Sequence, residues 1–138
     1  MLDEIATFID FLRNLPTTHA FQCGSALVVR EGSSRCSAEE ALGELSRQVG
    51  LQCTAYGPEC EEETMLELLK ADLAKGAWAL LEVKRDPSAR VIAFLKSLMQ
   101  TSSVEAQGRL IAFAEREFIE NGVSHPYFYG MFGWVCAI

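Results

Sequence analysis

Three short apolar runs, each followed by a segment of helical pattern, constrain this chain more than anything else in it. Ala26-Leu27-Val28-Val29, Leu51 to Tyr56 and Ala77 to Val83 all have strand length. The first and third are apolar on both faces, which marks strands covered by helices on both sides. After the first run comes a polar loop, Arg30-Glu31-Gly32-Ser33-Ser34-Arg35-Cys36-Ser37, and then a predicted helix from Ala38 to Val49. Ala41, Leu42, Leu45 and Val49 share one side of it, and Gly50 stops it. A second helix is predicted over Glu61 to Lys75, with Met65, Leu66, Leu69 and Leu73 as its stripe and Gly76 closing it. Strand-helix alternation of this kind predicts a three-layer αβα sandwich around a mainly parallel sheet, joined by right-handed crossovers.

The flanks are read the same way. Leu2, Ile5, Phe8, Ile9, Leu12 and Leu15 recur at helical spacing, and Pro16 ends the run, so an N-terminal amphipathic helix is expected within residues 1–20. Docking on its own domain is the favoured use of its apolar face; a protein partner is the other. Asp86-Pro87 supplies a cap and a first-turn proline for a helix that runs to Gln100. Leu110 to Ile119 fits a hairpin or a helix. Asn121-Gly122 signals a turn, and Tyr127 to Ile138 reads as a last buried strand. The 138 residues leave room for one domain, with a core over residues 24–138.

Composition removes several function classes. Twelve basic against nineteen acidic residues give a net charge of −7, which argues against a nucleic-acid surface. No apolar run is long enough to span a membrane, and the acidic start does not resemble a signal peptide, so a cytoplasmic protein is expected. The five cysteines are irregularly spaced, with no CxxC pair, which fits reduced thiols. A zinc site from His19, Cys23 and two more cysteines lacks paired ligand spacing. A triad from Ser37 and His19 lacks the G-x-S-x-G elbow, and His125 sits in a Ser-His-Pro turn. Cys36 lies beside Arg35 ahead of a helix, a setting that favours a thiolate, but packing is the commoner fate of such a thiol. The Tyr127 to Phe132 cluster is expected in the core.

In an open parallel sheet, ligands bind beyond the carboxyl ends of the strands. A phosphate loop there needs glycines to bare its amides, a lysine for the outer phosphates and a hydroxyl for magnesium. In the frame starting at Gly32, Ser37 takes the second glycine position, Ala38 the lysine position and Glu39 the hydroxyl position. The loop length survives and the chemistry does not. Gly32, Arg35, Ser37 and Glu39 are therefore the residues of a degenerate phosphate loop; no cofactor is expected, and ATP with magnesium is the alternative. At the end of the third run, Glu82 is a weak metal candidate, but the water-activating position is Val83, which accepts no proton. Glu82 is better read as a strand-end acid paired with Lys84 or Arg85. No catalytic residue emerges.

The chain resembles part of an AAA+ module of the dynein heavy chain family. Arg47-Gln48-Val49-Gly50 is similar to the turn that ends the helix after that family's phosphate loop. Gly76-Ala77-Trp78-Ala79-Leu80-Leu81-Glu82-Val83-Lys84-Arg85 stands where the family has its Gly-Ala/Ser-Trp stretch, and Phe113 to Ile119 resembles a following hairpin. Phe132 to Ile138 is similar to the next strand. The resemblance covers about Ala26 to Ile138. It implies a P-loop/AAA+-like core lacking the last strand and lid, a non-catalytic role in assembly or protein-partner binding, and a microtubule-based, axonemal setting. An open sheet edge would then need covering by a partner or by self-association. A sheet with the first strand beside the last and the third beyond it is the order this resemblance implies. A stand-alone regulatory or inhibitory binding protein, or a weak nucleotide binder without hydrolysis, are the alternatives.

Overall fold

The computed structural model describes residues 2–14, 24–100 and 108–138. Leu15, Pro16, His19 and Cys23 lie outside these described residues. The elements run α1 (Leu2–Arg13), β1 (Ser25–Arg30), α2 (Ala38–Val49), β2 (Cys53–Tyr56), α3 (Glu62–Ala74), β3 (Ala79–Val83), α4 (Ala89–Gln100), β4 (Leu110–Glu115), α5 (Arg116–Gly122), a 3-10 turn (Tyr129–Met131) and β5 (Trp134–Ala137). All strand pairs are parallel, in the order β2-β3-β4-β1-β5. The first strand lies beside the last. The third lies on the other side of β1, with β4 between them.

The period of two along each strand sorts the core into two faces. Ala26 and Val28 of β1 join Leu80, Ile111 and Phe113 under α1 and α2. Leu27 and Val29 join Leu81, Leu110 and Ala112 under α3, α4 and the 3-10 turn. The three-layer αβα sandwich expected from the alternation is therefore found. Ile5, Ile9 and Leu12 of α1 are fully buried on the first of these faces, so the apolar stripe of that helix docks on its own domain. Each such side chain contributes about 2 kcal/mol relative to exposure.

Local signals explain most boundaries. Ser37 caps α2, its Oγ accepting from the Glu40 N–H at 3.1 Å, and Gly50 ends the helix in the left-handed region at φ 78°. Three expectations are corrected. Ser88, not Asp86-Pro87, caps α4: its Oγ accepts from the Val91 N–H and its carbonyl from the Ile92 N–H, which places Pro87 ahead of the helix. Asp86 instead accepts from Ser124. Leu110 to Ile119 is neither hairpin nor single helix but strand β4 running directly into α5, so the sheet has one more strand than the sequence reading assigned. The expected strand over Tyr127 to Ile138 shrinks to Trp134–Ala137, because Gly130 and Met131 donate back to Tyr127 and Phe128 and turn the chain. Phe128, Met131 and Phe132 are buried, as expected of that aromatic cluster, but Tyr127, at its start, is 75% exposed and not part of the core.

Trp78, the most distinctive residue of the Gly-Ala-Trp stretch, has a packing role. The buried Arg109 guanidinium lies 5.9 Å from its ring centroid and 5.6 Å from that of Trp134. No described helix is long and apolar enough to cross a membrane.

Candidate functional site

Strands β1, β3 and β4 all end on the same side of the sheet, and the loop from β1 to α2 rises there. A cavity of about 590 Å³ opens at these ends. Ala38, Glu39 and Leu42 of α2 line one wall, Glu82, Val83 and Lys84 the floor beyond β3, and Phe113, Ala114, Glu115 and Phe118 the β4–α5 side. Four positions singled out from the sequence thus meet: Ala38, Glu39, Glu82 and Val83. Glu115, Phe113 and Phe118 belong to the site as well. They were missed because β4 itself was not assigned, and the unbroken apolar run Leu110 to Ala114 was the available signal.

Gly32, Arg35 and Ser37 are not among the lining residues. Gly32 is exposed and has room for a Cβ, so nothing in the loop requires glycine there. Ser37 is occupied as the α2 cap. Arg35 is exposed on the loop.

The charges around the loop are already engaged with one another. Arg30 ends β1, and its guanidinium pairs with the Glu115 carboxylate at 2.7 Å and donates to the Cys36 carbonyl at 2.7 Å. Glu31 pairs with Arg116, and that hydrogen-bonded guanidinium holds the Glu31 carboxyl below the usual carboxylate range. Arg116 also donates to the Tyr129 hydroxyl at 3.3 Å. Glu82 pairs with Lys84 at 3.4 Å, the partnership expected of a strand-end acid. The lining therefore carries three carboxylates, Glu39, Glu82 and Glu115, and one cation, Lys84. Among the described residues no group of three His, Cys, Asp or Glu side chains is placed to hold a metal ion.

Cys36 is buried, its Sγ 3.2 Å from the Ser34 Oγ, and packs in the α1–α2 layer rather than facing the cavity. His125 decorates a loop, its Nδ1 accepting from the Tyr127 N–H at 3.2 Å. The Ser37–His19 pairing and the His19–Cys23 zinc site involve residues outside those described.

A cavity with apolar walls at Leu42, Phe113 and Phe118 and three carboxylates in its lining, at the α2 N-terminus, suits a ligand that is not strongly anionic. A triphosphate would meet three carboxylates where phosphate loops present a lysine and bare amides.

No protein-family model matches the chain, and no curated protein matches it. Among solved structures, that of Rhizobiales Trip13 is similar at a TM-score of 0.47 and 14% sequence identity, over 99% of this chain and 57% of that one. The chain thus spans little more than half the length of that neighbour.

Proposed function

We propose that this chain is a non-hydrolysing module with an AAA+-like core that works by binding a protein partner. One observation carries the reading. The cavity occupies the place where such sheets bind nucleotides, yet Ala38 stands at the lysine position, Val83 at the base position, and Glu39 faces the space meant for outer phosphates. Like charges there oppose triphosphate binding, and Val83 offers no proton acceptor at the position that would activate water. The strand order supports the AAA+-like part of the reading, since the first strand lies beside the last and the third lies beyond. The finer dynein-like assignment, with a setting in microtubule-based movement, is supported by the Gly76 to Arg85 stretch alone.

The test is calorimetric and kinetic. Millimolar ATP with magnesium is expected to leave the melting temperature of the purified chain unchanged and to go unhydrolysed. A thermal shift without turnover would favour the weak nucleotide binder, for which the α2 N-terminus at the cavity mouth is the supporting feature. Turnover abolished by Glu82→Gln would end the non-hydrolysing reading.

A further inference from the structure

Sheet edge β5 differs from an ordinary capped edge. Ile138 donates its N–H to the Val29 carbonyl and accepts from the Glu31 N–H, so both its backbone groups face β1. Inward bonding recurs at every second residue of a parallel strand. Val135 and Ala137 therefore direct their backbone N–H and C=O groups at the outer side, where no described strand pairs with them. Trp134–Ala137 carries no charge, proline or bulge of the kind that normally blunts an edge. Val135 is 45% exposed.

Beside this edge runs a groove of about 520 Å³ lined by Asp3, Glu4, Thr7, Phe8 and Phe11 of α1 and by Cys136 of β5. Phe11 is 48% exposed, and its ring meets Trp134 edge-on at 6.4 Å. Trp134 and Cys136 pack toward the α1 layer. A strand added to β5 would point every second side chain the same way, over Phe8 and Phe11.

Charge selects the occupant. The groove's ionisable rim is Asp3 and Glu4, and no lysine or arginine lines it. Glu4 lies near enough to Cys136 that its charge adds to burial in holding the thiol above its usual range. A second copy of this chain would bring its own Asp3 and Glu4 to the interface, and both copies carry −7. A segment whose α1-facing positions, two residues apart, include both apolar residues and a lysine or arginine meets both the floor and the rim.

We infer that the open edge of β5 and the groove beside α1 together form a docking surface for an extended, basic and apolar segment of a partner protein, which adds to the sheet as a sixth strand. The inference rests on the partner-binding reading above and names the surface that serves it.

A fluorescein-labelled peptide of about six residues, with one lysine and two valines at alternate positions and threonine between them so that lysine and valine share a face, is titrated into the full chain and followed by fluorescence polarisation. Saturable binding is expected. It should weaken about tenfold in the double variant Asp3→Lys/Glu4→Lys and at least as much in Val135→Pro, which removes an outward N–H and leaves the β1 ladder its own donors. The same peptide with glutamate in place of the lysine should not bind. Val135→Pro is checked for fold by circular dichroism, and the α1 charge variants, being at the surface, carry the test if it unfolds. No binding of the basic peptide, or binding indifferent to these charge changes, overturns the inference. So does a dimer seen by sedimentation velocity that Val135→Pro dissolves, because the occupant is then a second copy. Magnesium-ATP added to the same samples separates the two proposals. Turnover would sink the non-hydrolysing reading alone, and a silent peptide with inert ATP would sink the docking surface alone.

Discussion

Arg30 and Glu115 occupy the same register position on neighbouring strands β1 and β4, and their side chains pair at 2.7 Å across the strand ends. The same guanidinium holds the Cys36 carbonyl, so one residue ties the sheet to the loop that leads into α2. Arg30→Met keeps the apolar stem and removes both ties. It should cost about 1–2 kcal/mol in urea unfolding, the pair being partly exposed. Arg30→Lys should fall between, since an ammonium lacks the planar fork that reaches both acceptors. At high salt the gap between wild type and Arg30→Met should narrow but not close, because the bond to the carbonyl is screened less.

Stability should fall at both ends of the pH scale through one network. The Glu62 carboxylate accepts from the Ser88 hydroxyl at 2.5 Å and from the Tyr56 hydroxyl at 2.6 Å, and these bonds hold its pKa below the ordinary 4.5. Its contribution is present above that ordinary value and lost as pH falls through the lowered one. Burial first, and the bond to Glu62 second, raise the Tyr56 phenol above 10.0. That contribution is complete below 10.0 and lost as pH rises through the raised value. Urea midpoints measured across pH should show the gap between wild type and Glu62→Gln shrinking as pH falls below 4.5, and the gap to Tyr56→Phe shrinking as pH rises above 10.0.

Two thiols should be sluggish. Burial, with the Glu82 charge adding to it, pushes the Cys53 thiol up from 9.0 to about 11. Burial and then Glu4 raise Cys136 in the same direction. Iodoacetamide at about pH 8, read by peptide mass spectrometry, should label both more slowly than a free model thiol. Glu82→Gln should speed Cys53 without changing Cys136. Equal rates at Cys53 in the two proteins would show that Glu82 does not act on it.

Gly108 is fixed by close approach. A Cβ built there would meet the Ala77 carbonyl oxygen at 2.5 Å and the Leu73 carbonyl oxygen at 2.8 Å, both backbone atoms that cannot step aside cheaply. Gly108→Ala should therefore destabilise by about 2–3 kcal/mol in chemical denaturation. Gly32→Ala, with open space around it, should leave stability within about 0.5 kcal/mol of wild type.

The βα unit from Ser25 to Gly50 was legible because its signals are local: a doubly buried apolar run, a serine cap and a left-handed glycine stop. β4 was not. As the strand between β1 and β3 it is buried along Leu110 to Ala114, so it lacks alternation, and α5 begins at Arg116 with no turn residue between them. The end of the chain misled for the opposite reason. Tyr127 to Phe132 has strand-like composition, but its aromatics serve as a lid on the α4 side of the core, reached through a 3-10 turn. Glu39 and Glu82 could be placed at the site from spacing alone. Glu115 could not, because its position depends on the register of β4 against β1.

The pairing of β1 with β4 and β5 also sets the order of events during synthesis. Arg30 emerges from the ribosome 85 residues ahead of Glu115, the residue it must face. At about 5–20 residues per second, Ser25–Arg30 waits several seconds with both hydrogen-bonding sides bare. The nascent chain can close α1, α2 and the β2–β3 pair in that interval, but the middle of its sheet stays empty until β4 has emerged. Until then Ala26-Leu27-Val28-Val29 is a bare apolar strand, exposed for a window set by elongation speed.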